Sequence, residues 1–98
     1  MLILSKSYEF DWDNGNLVKN SLQHAVSNQE CEEVFFDDNK KLLKDLLHSY
    51  KETRYIIIGA TKTKRKLFIA FTLRFKKIRI ISARDLNKKE YHLYEEET

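Results

Sequence analysis

Residues 54–84 read RYIIIGATKTKRKLFIAFTLRFKKIRIISAR. Three apolar runs stand in this stretch, at residues 55–58, 67–75 and 78–81, each rich in β-branched or aromatic side chains. The polar, basic residues 61–66 separate the first two as a hairpin connection, and Phe75, Lys76 and Lys77 make a tight turn between the last two. Runs of this kind with short connections predict three consecutive strands, the first stopping at Gly59, in an antiparallel meander. The same stretch holds ten Lys or Arg residues, all five arginines among them, and no Asp or Glu. A segment that forms sheet and also gathers the positive charge is a platform for an anion.

The formal net charge is +3, but it is unevenly spread. Residues 1–53 hold six lysines against ten acids, or −4, and residues 54–98 hold twelve basic residues against five acids, or +7. A basic half points to a polyanionic partner, with RNA or DNA foremost. A merely solvated face on a protein of pI about 9.0 reads the same way. At 98 residues, with 42% apolar content and no proline, residues 1–98 are expected to form one domain around one core. The lone Cys31 makes no intramolecular disulfide, and the apolar start at Met1 is too short for a signal core or a membrane span. A reducing, cytoplasmic setting is expected.

Earlier in the chain, Tyr8, Phe10 and Trp12 alternate with Glu9 and Asp11, the period of a short strand with one buried face. Asp13 can cap a helix to about Gln23. Ser27 and Glu30 form a capping box, with Val26 and Cys31 at the hydrophobic-staple positions, so a second helix is expected to about Phe36 and a turn at Asp37, Asp38 and Asn39. Residues 40–52 read two ways, as a helical face of Leu42, Leu43, Leu46 and Leu47 or as a short strand followed by a loop. Asn87 and Glu90 mark a last short helix, with Leu86 and Tyr91 at its staple positions and Tyr91 and Tyr94 on one side.

Several function classes drop out. Three scattered histidines and one cysteine have no metal-ligand spacing, and no glycine-rich loop is present to cradle nucleotide phosphates, so neither a metal nor a cofactor is called for. Ser82 has no His or Asp in a motif relation to it and is no nucleophile. Trp12 on a short strand reads as a core anchor rather than a stacking platform.

The order and spacing of many fragments resemble the BrnT family, ribonuclease toxins of bacterial type II toxin–antitoxin systems. The fragments are Phe10-Asp-Trp12-Asp13, Asn20, His24, Val26, Glu30, Val34-Phe-Phe-Asp37, His48-Ser49, Glu52-Thr-Arg54, Ile58-Gly59, Arg65-Lys-Leu67 and Thr72-Leu-Arg74. Arg79-Ile-Ile-Ser-Ala-Arg84 is the strongest, followed by Glu90 and Tyr94. The chain departs from the family habit at Asn16 and Gln23, where Lys is common, and at Ala25 and Asn28. The resemblance implies an α+β fold similar to RelE-type ribonucleases, a small antiparallel sheet with flanking helices. It resolves residues 40–52 as a strand at Leu42 and Leu43 with a loop from Asp45 to Lys51. It further implies an RNA substrate and a BrnA-like antitoxin, with hetero-oligomers built through a dimeric antitoxin. The expected antitoxin surface is the basic and aromatic sheet side.

A metal-independent ribonuclease of this sort lets the RNA 2′-OH attack the adjacent phosphate. Arginine clamps the extra charge but does not act as a base, whereas His and Glu can have their pKa moved toward neutrality. The candidate catalytic set is therefore His48, Glu52, Arg54, Arg74 and Arg79. Arg74 and Arg79 flank the tight turn and are expected near one another across adjacent strands, where they can grip one phosphate. Lys62, Lys64, Arg65, Lys66, Lys76 and Lys77 are candidate nucleic-acid contacts. Each group has a plainer reading: a surface ion pair for Glu52 and Arg54, a turn residue for His48, and solubility for the lysines. Arg84, just before the last helix, reads as structural, with Glu90 as a partner. The alternative function is a non-catalytic nucleic-acid-binding or protein-interaction module derived from such a toxin.

Overall fold

The computed structural model describes residues 9–12, 25–45 and 52–95. In chain order these form β1 (Glu9–Phe10), α1 (Asn28–Phe35), β2 (Lys41–Asp45), β3 (Arg54–Ala60), β4 (Lys66–Arg74) and β5 (Lys77–Asp85). A 3-10 turn (Lys88–Glu90) then leads into α2 (Tyr91–Glu95). The expected helix to Gln23 lies outside the described residues, as does the expected loop from Asp45 to Lys51 apart from Asp45 itself, which pairs with Arg54 as the last residue of β2.

α1 begins where its capping box closes. The Glu30 amide donates to Ser27 Oγ at 3.1 Å, and the Ser27 amide donates to Glu30 Oε1 at 3.0 Å, so two otherwise orphaned donors are satisfied together. Val26 and Cys31 are both buried beside it, and Cys31, Val34 and Phe35 form the stripe that faces the sheet. The same device recurs at Asn87 and Glu90, with both reciprocal bonds present.

β3, β4 and β5 form the expected antiparallel meander, and β2 pairs antiparallel with β3. The sheet order is β1-β5-β4-β3-β2. It is a mixed sheet, not the all-antiparallel one expected, because β1 runs parallel to β5, with Glu9 opposite Lys77 and Phe10 opposite Ile78. The physical reason is the packing of Phe10. That register carries its ring to Phe35 at 5.1 Å, edge to face, and to Trp12 at 6.0 Å, stacked. Phe35 in turn meets Phe71, and Phe71 stacks with Tyr55. Trp12 is the core anchor expected of it, with its indole N–H donating to Glu32 at 2.7 Å.

Alternation along β4 separates the two faces. Leu67, Ile69 and Phe71 are fully buried toward α1, while Phe68, Ala70, Thr72 and Arg74 point the other way. In β5 the core residues Ile78, Ile80 and Ala83 break strict alternation. A bulge reconciles them: Ala70 pairs with Ser82 and Phe71 with Ile80, leaving Ile81 as the extra residue. It also sets Arg79 and Arg84 on the same face as Arg74.

β3 does not stop at Gly59 but runs through it to Ala60. The glycine is there because α1 crosses closely. A Cβ at residue 59 would lie 2.9 Å from Val34 Cγ1 and 3.2 Å from Asp37 Oδ2. Asp37 uses this approach as a junction, accepting from the Ala60 amide at 2.8 Å and from the Tyr94 hydroxyl at 2.6 Å. Burial pushes the Asp37 carboxyl up, but these bonds, with the Asn39 amide and Lys40, bring it below its ordinary range. Burial and the same hydrogen bond push the Tyr94 hydroxyl up to about 12. No helix among the described residues is long and apolar enough to cross a membrane.

Candidate active site

The antiparallel order of β3, β4 and β5 brings the start of β3, the end of β4 and the start of β5 to one end of the sheet. Register then does the rest. Arg54 lies opposite Thr72 on one side, and Arg79 lies opposite Thr72 on the other. Arg74, two residues beyond Thr72, shares its face. Three arginines from three strands thus surround one position on the face away from α1. With neighbouring strands about 4.8 Å apart, Arg54 and Arg79 have Cα atoms about 10 Å apart across the buried Thr72.

Glu52 enters this cluster from the chain leading into β3. Arg74 grips it with both arms of the guanidinium, Nε to Oε2 and Nη2 to Oε1, each at 2.9 Å. That bond from Arg74 is the main reason that the Glu52 carboxyl sits below its ordinary range, and the charges of Arg74, Arg54 and Arg79 add to it. The fork geometry is the one arginine uses for carboxylate and phosphate alike. Asp11, after β1, faces Arg79 at 3.8 Å. Thr72 Oγ1 donates to the Thr53 carbonyl at 2.8 Å, which fixes the segment bearing Glu52 against β4.

Four of the five candidate catalytic residues therefore come together: Glu52, Arg54, Arg74 and Arg79. His48 lies outside the described residues. Sequence reasoning missed Thr72 as an anchor and Asp11 as a neighbour of Arg79. The signal for Thr72 was the alternation of β4, which sets it two residues before Arg74 on the same face. No local signal pointed to Asp11, whose approach depends on the parallel β1–β5 pairing.

The candidate nucleic-acid residues divide between two ends of the sheet, separated by the nine residues of β4, about 27 Å. Lys76 and Lys77 stand in or beside the turn that follows Arg74, and Lys62 and Lys64 are exposed in the opposite connection. Arg65 is built into the fold. Its guanidinium meets both carboxylate oxygens of Asp85, at 2.6 and 2.9 Å, and Glu30 at 3.1 Å, while also donating to the Ala25 carbonyl. Lys66 has its ammonium over the rings of Tyr91 and Tyr94, at 4.8 and 5.8 Å from their centroids. Arg84 pairs in fork geometry with Glu90, at 2.8 and 2.9 Å, and lies over Phe68, the structural role that its position suggested. A concave surface of about 580 Å³ beside α1 is lined by Glu32, Glu33, Phe36, Asp37 and Lys62 among others, and its carboxylates are ill suited to a polyanion.

A family model described as the ribonuclease toxin BrnT of type II toxin–antitoxin systems matches residues 12–90. The chain belongs to the BrnT family. Glu52, Arg54, Arg74 and Arg79 all fall within the matched segment. Membership in a type II toxin family implies an antitoxin partner for this BrnT chain. No curated protein matches its sequence.

Proposed function

We propose that this BrnT chain is a metal-independent endoribonuclease that cuts RNA to inhibit translation, and that Glu52, Arg54, Arg74 and Arg79 form its centre. The observation that carries the reading is the Arg74 fork closed on Glu52 between two further arginines. In the free protein the Glu52 carboxylate takes the position that a scissile phosphate would take. When RNA enters, its phosphate displaces Glu52 from the fork. Glu52 then loses the bond that held its pKa down and gains an anionic neighbour, and both changes raise that pKa toward the range of a general base.

The reaction balances without a cofactor. The 2′ oxygen bonds to phosphorus and its proton passes to Glu52. The bond from phosphorus to the 5′ oxygen breaks, and that oxygen takes a proton, for which His48 is the candidate donor from the sequence. The arginines hold the charge that builds on the phosphoryl oxygens. Lys76 and Lys77 extend the phosphate contacts beyond the turn, with Lys62 and Lys64 as distant ones. The mixed sheet with a helix on one face is read as a RelE-type variant. The partner is read as a BrnA-like, dimeric antitoxin acting in the cytoplasm, covering the basic face and linking two toxins.

A second reading has one observation in its favour. A Glu52 locked in the Arg74 fork is not itself a free base in the resting protein, as expected of a binding module that has lost catalysis. End-group analysis of RNA treated with the purified protein separates the two. New 2′,3′-cyclic phosphate and 5′-hydroxyl ends support the transesterase. Bound but intact RNA supports the binding module.

A further inference from the structure

The turn between β4 and β5 is built against its own backbone preference. It has two residues, Phe75 and Lys76, both with left-handed φ, at 51° and 66°. Two-residue hairpins of this twist favour Asn-Gly or Gly-Gly, because a side chain at positive φ is strained and a bulky one especially so. Phe75 is also 98% exposed, so its ring gives nothing back to the core. The tip is nevertheless held firmly. The antiparallel ladder closes at Arg74 and Lys77, and the Glu9 amide donates to the Lys76 carbonyl. A solvent-facing ring on a backbone-anchored tip is thus flanked in sequence by Arg74, Lys76 and Lys77, one residue from the fork that holds Glu52.

We propose that Phe75 is a stacking platform for an unpaired RNA base next to the cleaved phosphate. This deepens the nuclease reading above and rests on it. The π-face of any base can stack on a phenylalanine, and cations on either side hold the adjoining phosphates. Single-stranded RNA is favoured over a protein ligand because Arg74, Lys76 and Lys77 outnumber Glu9, which pairs beside Lys77, at the tip, a setting matched to a polyanion with flat apolar faces. The ring adds affinity with little choice of sequence, and it orients the chain so that the neighbouring phosphate enters the Arg74 fork.

The test uses a 2′-O-methyl oligoribonucleotide carrying 2-aminopurine, which has no attacking hydroxyl and whose fluorescence is quenched on stacking. Wild-type protein is expected to bind with quenching. F75A is expected to bind roughly ten-fold or more weakly and to lose the quenching, while F75W restores both. The dependence of log affinity on log salt should be unchanged in F75A, because no phosphate contact is removed. Equal binding and equal quenching by wild type and F75A would overturn the stacking role and leave the nuclease reading standing. Loss of antitoxin binding in F75A with RNA binding intact would overturn it in favour of a protein contact. A wild type that binds no RNA would overturn both.

Discussion

Glu52 is held below its ordinary pKa first by the Arg74 bond and then by the charges of three arginines. A carboxylate so placed is a weak base until its partner is taken away. The proposed exchange of carboxylate for phosphate therefore has a signature in the pH dependence of cleavage. The profile of kcat/KM reports groups of the free enzyme, and that of kcat reports groups of the bound complex. The acidic limb of kcat/KM is expected below pH 4.5, where the paired Glu52 titrates, and the acidic limb of kcat is expected at clearly higher pH. Glu52→Gln should lower kcat by about a hundred-fold or more and remove the acidic limb of kcat. Coincident limbs in the wild type, or a retained limb in the variant, would deny Glu52 the role of base. Thr72 acts at the same place by another route, tying the Thr53 carbonyl so that Glu52 stays within reach of the arginines.

The last helix depends on a small set of charged contacts. Arg84 holds Glu90 in a fork, and Glu90 also closes the capping box with Asn87. The Arg84 bond, helped by the Asn87 amide, takes the Glu90 carboxyl down to about 2. A carboxylate with a depressed folded pKa stabilises the protein above its unfolded pKa, near 4.5, and loses that contribution as pH falls toward 2. Glu90→Gln is therefore expected to lower the urea midpoint near pH 6, and the gap from wild type should close between pH 4.5 and 2. A gap that stays constant over that range would contradict the pairing. Such elements were largely legible in the sequence, because a capping box is a four-residue signal and three consecutive strands with short connections pair with their neighbours. β1 was legible as a strand but not as a parallel one, since its direction is set by Phe10 finding Phe35 far along the chain. The ion pairs of Arg65 are not legible in the sequence, because its partners Glu30 and Asp85 are distant along the chain and meet it only across the α1–β5 corner. The strand at residues 41–45 was ambiguous from the residues alone, where leucines at helical spacing competed with β pairing, and only the family resemblance decided it.

Across the protein as a whole, positive charge is sorted by use. At the β3–β4 connection, Arg65 and Lys66 brace α1, β5 and the last helix. At the β4–β5 end, Arg54, Arg74 and Arg79 gather around one carboxylate and stand next to Phe75 and two lysines. The asymmetry of a +7 half was visible in the sequence, but this division was not, because it depends on which acids the fold delivers to which end. The most direct measurement is cleavage of purified RNA by the isolated protein in EDTA, with Arg74→Ala beside it. Cleavage by the wild type in the chelator, reduced about a hundred-fold or more by the substitution while the variant keeps its thermal unfolding transition, is the expected result. Cleavage abolished by EDTA, or undiminished in folded Arg74→Ala, would contradict a metal-independent centre built on the Arg74 fork.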